Sequence, residues 1–175
     1  MRRFAVSTWI RSLTESIGCI RLGARYRLSK ARKLNMSEIT ELLPHRPPFL
    51  YVDRIESADD EHIVGYKTFS ADEYFFRGHF PEYPVVPGVI LVESMAQCGG
   101  AGIRELGKLG EALFFLATVE KAKFRRQVRP DETIRMEIEN LKVSTRMLKQ
   151  RGTAYVGDEV AAEAEWLCLV GAAPA

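Results

Sequence analysis

A single segment governs the architecture of this chain, and it reads Val89-Ile-Leu-Val-Glu-Ser-Met-Ala-Gln-Cys-Gly-Gly-Ala-Gly-Ile103. Its residues are apolar or small on nearly every face of a helix, which is typical of a helix buried on all sides. We predict such a helix over about residues 88–106, long enough at about 1.5 Å per residue to cross a small domain. Because glycine weakens an exposed helix, Gly99, Gly100 and Gly102 predict that another backbone packs closely against this one.

Segments rich in aromatic and β-branched residues lie on both sides of this helix and predict strands. The predicted strands cover residues 49–55 and 62–69 before the helix and residues 112–124, 132–146, 148–156 and 159–170 after it. The alternation is clearest where Ile134, Met136 and Ile138 share one face. Two strands, one buried helix and a run of antiparallel strands predict the α+β class, with a curved antiparallel sheet wrapped around a long central helix.

The first 35 residues differ in composition from the rest of the 175-residue chain. They hold nine Lys/Arg and one acid, Glu15, and their apolar residues fall at helical spacing. This composition is typical of an organelle transit peptide or of a basic helix at a membrane surface. Alternatively, Met36 is the functional start and the upstream residues are an unselected extension. We predict a basic extension over residues 1–35, the only segment suited to membrane contact, and a single domain over residues 36–175.

Composition excludes several classes of function for residues 36–175. These residues include 16 basic and 22 acidic side chains, a balance that argues against nucleic-acid binding. The cysteines form no CxxC pair and the three histidines are widely spaced, so we predict no metal site. Unpaired cysteines indicate a reducing compartment. We therefore predict a cytoplasmic location, or an organelle if residues 1–35 are a transit peptide.

The candidate chemistry is concentrated in the predicted helix and in the loop before it. His79 lies among glycine, prolines and aromatics, and an imidazole suits a base near neutral pH. Glu93 is the only charged residue in the apolar run, and a carboxylate is rarely buried without a partner or a task. Gly88 would present a free N–H at the helix start, ready to polarise a carbonyl. The alternative is structural: His79 hydrogen-bonds its own loop, and Glu93 joins a buried network with Gln97.

Four motifs, taken together and in order, resemble one protein family. They are Leu43-Pro-His-Arg-Pro-Pro-Phe-Leu-Tyr-Val-Asp-Arg54, Gly78-His-Phe-Pro-Glu-Tyr-Pro-Val-Val-Pro-Gly-Val89, Glu93-Ser-Met-Ala-Gln97 and Val119-Glu-Lys-Ala-Lys-Phe-Arg-Arg126. On these residues, the chain resembles the (3R)-3-hydroxyacyl-acyl-carrier-protein dehydratases of type II fatty-acid synthesis over about residues 37–170. The resemblance implies the hot-dog fold, in which an antiparallel sheet wraps a long helix. It also implies a lyase that converts the carrier-bound 3-hydroxyacyl group to the trans-2-enoyl group without a cofactor.

The resemblance assigns roles to residues at matching positions. By this resemblance, His79 removes a proton from C2 of the thioester, and Glu93 assists the loss of the C3 hydroxyl as water. Gly88 would bind the thioester carbonyl through its N–H, and the Val85 carbonyl would orient His79. The family works as dimers in which the histidine of one subunit faces the carboxylate of the other, which implies a homodimer or a trimer of dimers. Because the branch that also isomerises the double bond has Asp at the helix position, Glu93 implies the branch that only dehydrates.

A cluster of cations stands out in the otherwise acidic body of the chain: Lys121, Lys123, Arg125, Arg126 and Arg129. We interpret it either as a solvated strand face or as a docking site for the acidic acyl-carrier protein, since complementary charge steers encounter. Two other functions remain open. A hot-dog acyl thioesterase would activate water with a carboxylate and would not need the loop that carries His79. A non-catalytic acyl-carrier-binding subunit of a synthase would need neither His79 nor Glu93.

Overall fold

A computed structural model describes residues 36–172 of the chain, so the predicted extension over residues 1–35 lies outside the described residues and stays a prediction. Before the long helix come α1 (Met36–Leu42), β1 (Arg54–Ala58), β2 (His62–Thr68) and a 3₁₀ turn (Tyr74–Arg77). The long helix is α2 (Gly88–Glu105), and it is followed by β3 (Leu113–Phe124), β4 (Thr133–Val143), β5 (Met147–Val156) and β6 (Glu159–Gly171). Among residues 36–172, no helix is long and apolar enough to cross a bilayer.

The strands form one antiparallel sheet in the order β1-β2-β4-β5-β6-β3, and α2 packs against all six of them. Twelve of the 18 residues of α2 are buried. The core between helix and sheet is built from aliphatic side chains such as Met95, Ile138 and Leu148, with Trp166 the largest fully buried group. The predicted α+β class, with an antiparallel sheet wrapped around a central helix, is therefore confirmed.

The glycines of α2 allow side chains of the sheet to approach the helix closely. A Cβ at Gly99 would lie 2.2 Å from Oε1 of Gln150 on β5, and one at Gly102 would lie 2.6 Å from Ile63 on β2. The predicted close approach at α2 therefore exists, but the prediction of a neighbouring backbone is wrong. The neighbours are side chains that reach toward the helix from the sheet.

The prediction of a strand over residues 49–55 is wrong for residues 49–53, because β1 begins only at Arg54. The N–H of Tyr51 donates to Oε1 of Gln97 on α2 at 2.8 Å, so this part of the backbone is paired with a helix side chain. Ladder pairing starts at Asp53, whose N–H donates to the carbonyl of Tyr66 at 2.8 Å. Residues 50–52 are nevertheless buried, which explains why their apolar pattern resembles a strand.

One edge of the sheet is long and exposed. The edge strand is β3, in which ten of twelve residues are exposed to solvent in the single chain. Four of them are large and apolar, with 42–53% of their surface exposed: Phe115, Leu116, Val119 and Phe124. A strand with this composition and an open row of backbone groups is a template for pairing with another chain.

Candidate active site

His79 is held by the backbone of its own loop. The loop leaves the 3₁₀ turn after the buried side chains of Phe75 and Phe76, and the N–H of His79 donates to the carbonyl of Phe75 at 2.7 Å. Nδ1 of His79 lies 2.9 Å from the carbonyl oxygen of Val85. Because a carbonyl oxygen only accepts hydrogen bonds, Nδ1 carries the proton and Nε2 keeps a free lone pair. The half-buried imidazole thus has the tautomer that a base requires.

A groove of about 520 Å³ opens beside this imidazole. Its lining includes His79, Val85, Gly88, Val89 and Phe124, together with Arg125, Arg126 and Gln127. The structure therefore brings three of the four predicted site residues to one surface, and it adds two cations of the predicted basic cluster. Glu93 is not among the lining residues.

Gly88 begins α2 and lies directly after Pro87, which caps the helix with an extended backbone. The first N–H groups of a helix have no partner within it and carry partial positive charge. A Cβ at Gly88 would lie 2.8 Å from the ring of Phe124, so the aromatic wall of the groove leaves no room for a side chain here. The position therefore combines an available N–H donor with close access for a ligand carbonyl.

Glu93 lies in a second cluster, on the second turn of α2. Its Oε1 accepts a hydrogen bond from Nε2 of Gln97 at 2.9 Å, and the same Nε2 donates to the carbonyl of Phe49 at 3.2 Å. Oε1 of Gln97 accepts the N–H of Tyr51, so the orientation of the buried amide is fixed. The carboxylate side chain is 22% exposed in the single chain, which is less burial than its apolar sequence surroundings suggest.

His45 is the residue of this cluster that the sequence did not identify. Its Nε2 lies 3.9 Å from Oε1 of Glu93, and its Nδ1 is buried without a hydrogen-bond partner. Burial lowers the pKa of His45, and the carboxylate of Glu93 opposes that shift. Nothing in the local sequence places His45 beside a residue 48 positions away; its one signal is membership of the first family-like motif.

The predicted basic cluster is largely paired with acids of the same chain. Lys121 on β3 contacts Glu165 on β6, and Arg125, directly after β3, contacts Glu163 on β6. Arg126 binds two carboxylates, those of Glu132 and Glu159. In contrast, the guanidinium of Arg129 stacks on the ring of Tyr83, with its central carbon 3.7 Å from the ring centroid. The cluster is therefore not one uniform positive face.

In the part of the chain that the structure describes, no three His, Cys, Asp or Glu side chains lie close enough together to bind a metal ion. Burial raises the pKa of the Cys98 thiol, and burial together with Glu93 raises that of Cys168 to about 11. Neither thiol is therefore activated as a nucleophile.

Solved structures with the same fold come from several kinds of protein. The dehydratase heterocomplex ApeI:P from Xenorhabdus doucetiae aligns with a TM-score of 0.64 and 16% identity, over 75% of this chain and 90% of that one. A hypothetical thioesterase with coenzyme A from Streptococcus pneumoniae aligns with a TM-score of 0.52 and 13% identity, over 69% and 87% of the two chains. At these identities the likeness concerns the fold alone, and it agrees with the hot-dog arrangement.

Sequence relatives are more specific. The family model described as a FabA-like domain matches residues 43–165. The 3-hydroxyacyl-acyl-carrier-protein dehydratase FabZ of Pelotomaculum thermopropionicum is 47% identical over 138 residues, which are 78% of this chain and 99% of that protein. The FabZ dehydratase of Caulobacter vibrioides is 44% identical over 141 residues, 78% of this chain and 88% of that one. The chain therefore belongs to the FabA-like family, in the group of the FabZ 3-hydroxyacyl-acyl-carrier-protein dehydratases.

Proposed function

We propose that this chain dehydrates (3R)-3-hydroxyacyl-acyl-carrier-protein to the trans-2-enoyl thioester in fatty-acid biosynthesis, with His79 and Glu93 as the catalytic pair. The single observation that carries this proposal is the groove in which the oriented imidazole of His79 stands beside the N–H of Gly88. A base and a carbonyl-binding donor at one surface are what proton abstraction next to a thioester requires.

The first half of the reaction uses the groove. The proton on C2 of a thioester is weakly acidic, so its removal by Nε2 of His79 needs stabilisation of the negative charge that develops on the carbonyl oxygen. The N–H of Gly88 and the positive end of α2 supply that stabilisation. The hydrogen bond from Nδ1 to Val85 stabilises the imidazolium that forms.

The second half of the reaction uses Glu93 as an acid. Loss of the C3 hydroxyl requires a proton, which the carboxyl group of Glu93 delivers as the hydroxyl leaves as water and the C2–C3 double bond forms. The amide of Gln97 binds Oε1, which leaves Oε2 to carry the proton. After the product leaves, His79 returns the proton taken from C2 to solvent and Glu93 takes up the proton that it gave, which closes the cycle.

The two halves of the site come from two copies of the chain in this proposal. Within one chain, Glu93 is absent from the lining of the groove around His79 and lies with Gln97 instead. The exposed apolar edge of β3 offers a surface for a second copy. We therefore place His79 of one subunit opposite Glu93 of the other in a homodimer, which can group further into a trimer of dimers.

The acyl-carrier protein delivers the substrate in this scheme. Of the five cations in the basic cluster, Lys121, Lys123 and Arg125 are exposed in the single chain, and of these three Arg125 lines the groove. We assign Arg125, which lies beyond the end of β3 and therefore outside the edge offered to the second copy, to docking of the acidic carrier, since charge complementarity accelerates encounter. We place the enzyme in the cytoplasm, or in an organelle if residues 1–35 act as a transit peptide; imaging of the full-length chain fused to a fluorescent protein decides between the two.

The test is a product analysis of the full-length chain. The protein is incubated with a 3-hydroxyacyl-acyl-carrier-protein, and the carrier is analysed by mass spectrometry with the His79→Ala variant as the control. We expect the enoyl form from the parent and unchanged substrate from the variant. Free carrier thiol would identify a thioesterase instead, and bound but unchanged substrate with the parent would identify a non-catalytic carrier-binding protein.

A further inference from the structure

The loop that carries His79 depends on contacts from outside itself. Phe80, next to the imidazole, adopts a φ of +58°, a left-handed conformation that is unfavourable for a residue other than glycine. Much of the loop is exposed, including 59% of the surface of Phe80. A strained and exposed loop keeps one shape only when the surrounding structure restrains it.

That restraint comes from the segment between β3 and β4. The hydroxyl of Tyr83 donates to Oε1 of Gln127 at 2.9 Å, and the guanidinium of Arg129 covers the ring of the same tyrosine. Arg129 also donates to the carbonyl of Pro84 at 3.4 Å. The N–H of Val86 completes the attachment by donating to the carbonyl of residue 128 at 2.8 Å.

These contacts enclose the one residue that orients the imidazole. Positions 83 and 84 are held on one side and position 86 on the other, and Val85 lies between them. Its carbonyl is the acceptor for Nδ1 of His79. With both flanking peptides fixed, the direction of that carbonyl is fixed as well, and with it the tautomer and the ring plane of His79.

The segment between β3 and β4 is itself held in place by ion pairs and hydrogen bonds of Arg126. The guanidinium of Arg126 binds both oxygens of Glu132 and also donates to the carbonyl of Gln127 at 2.8 Å. One of those carboxylate oxygens accepts the N–H of Arg129 at 2.7 Å. A further bond at 2.7 Å ties Arg126 to Glu159 at the start of β6. The hydrogen bond from Arg126 holds the pKa of the Glu132 carboxyl below its usual range, so Glu132 is ionised at neutral pH and keeps its ion pair with Arg126.

We propose that Tyr83, Gln127 and Arg129 form a clasp that positions His79, so that Arg129 acts on turnover and not on carrier docking. The clasp rests on the proposed function, in which His79 is the base. Its members are positioning residues, since they act through the Val85 carbonyl. A misplacement of a reacting group by about 1 Å can cost on the order of 10²-fold in rate, so a loosened clasp is expected to be visible in kcat.

Two substrates separate positioning from docking. The full-length parent and Arg129→Met are assayed with a carrier-bound 3-hydroxyacyl group and with the same acyl group on N-acetylcysteamine, a small thiol without a carrier. We expect Arg129→Met to lose about 10-fold in kcat on both substrates with little change in KM. A loss confined to KM for the carrier-bound substrate, with normal turnover of the small thioester, would make Arg129 a docking residue and overturn the clasp.

The matched control is a second arginine stacked on a tyrosine. Arg54 lies 3.5 Å from the centroid of the Tyr66 ring, on the β1–β2 pair and outside the groove. Arg54→Met removes the same kind of contact, and we expect parental kcat on both substrates. An equal loss in Arg54→Met and Arg129→Met would show a general effect on stability and would contradict positioning.

A spectroscopic measurement tests the clasp without turnover. Imidazole ¹⁵N shifts of His79 report the tautomer, and we expect the Nδ1–H form in the parent and a mixture of tautomers in Tyr83→Phe, which loses one hydroxyl and no packing. A spectrum identical to that of the parent would refute the clasp, even if Arg129→Met fails to fold. If the parent turns over neither thioester, the proposed function fails, while the spectrum still decides whether the clasp orients His79.

Discussion

At the scale of single residues, His79 and Glu93 are oriented by different means. The imidazole is fixed by a backbone carbonyl six residues away in the same loop. The carboxylate is fixed by the buried amide of Gln97, which is itself tied to the backbone of residues 49 and 51. A change in the loop is therefore expected to disturb the proposed base, and a change in the 49–51 segment to disturb the proposed acid.

Substitution of either proposed catalytic residue, His79 or Glu93, is expected to abolish most of the activity. General acid–base groups contribute about 10²–10⁴-fold, so His79→Ala and Glu93→Gln should each lose at least about 10²-fold in kcat. Because both groups act on one transition state, the double variant should lose far less than the product of the two single losses. Steady-state kinetics of the three variants checks this. Dehydration by His79→Ala within a few-fold of the parent rate would remove His79 from the mechanism.

Contacts of the site between residues that are close in the sequence could be predicted, and contacts between residues that are far apart could not. His79, Val85 and Gly88 lie within ten residues, so a motif in the sequence captures their relation, and the structure places all three in one groove. The contact of His45 with Glu93 spans 48 residues, and that of Tyr83 with Gln127 spans 44. Such contacts depend on how separate elements pack, and no periodicity in the sequence encodes them.

At the scale of elements, the packing of α2 on the sheet depends on Gln150. This fully buried side chain donates to Oδ1 of Asn140 at 2.7 Å and accepts the indole N–H of Trp166 at 3.2 Å. Its amide occupies the space above Gly99, where a Cβ would lie within 2.2–2.7 Å of three of its atoms. Gly99 is therefore needed because the buried amide of Gln150 leaves no room for a side chain, and not because of the helix backbone.

Addition of a methyl group at this glycine is expected to destabilise the protein. Gly99→Ala must displace Gln150 and break its buried hydrogen bonds, which outweighs the gain in helix propensity and costs about 1–3 kcal/mol. Urea unfolding of the variant measures the loss. Gly78→Ala is the control, because no atom lies within 4 Å of the added carbon, and its stability should stay within about 0.5 kcal/mol of the parent. Equal stability of Gly99→Ala and the parent would contradict the steric argument.

Elements were predictable where side-chain pattern and backbone pairing agree. The bounds of α2 and of β3, β5 and β6 lie within one residue of the sequence prediction. Two predictions differ more. The strand predicted over residues 132–146 ends at Val143, where the turn to β5 begins. The apolar side chains of residues 50–52 are buried, while the backbone of residues 49 and 51 pairs with Gln97. A pattern of apolar residues reports burial, and it cannot report which group accepts a backbone N–H.

At the scale of the whole molecule, the edge strand β3 is expected to mediate a homodimer. Val119→Lys replaces one of the exposed apolar side chains of this strand by a charge without a partner, which disfavours pairing at an edge. Sedimentation at micromolar concentration should show a dimer for the parent and an inactive monomer for the variant. Ser57→Lys places the same charge on β1, the opposite edge, and should leave the dimer intact. An active monomeric parent would exclude a shared site.

Removal of residues 1–35 is expected to leave the enzyme active. All the residues assigned to the site lie beyond Met36, and the sheet and α2 are complete within residues 36–172. A protein that starts at Met36 should therefore fold and dehydrate carrier-bound substrate at a rate similar to that of the full-length chain. A folded but inactive truncated protein would assign residues 1–35 to the working enzyme.

Glu93 does not line the groove of its own chain, so we expect two different inactive variants to restore activity to each other in a mixed dimer. If the site is shared between subunits as proposed, a mixed dimer of His79→Ala and Glu93→Gln chains has one site that lacks both groups and one site that has both. If subunits exchange at random, half of the dimers are mixed and about a quarter of all sites are intact. Two inactive preparations should therefore regain about a quarter of the parental activity once they are unfolded together and refolded, whereas a site built within one chain would regain none.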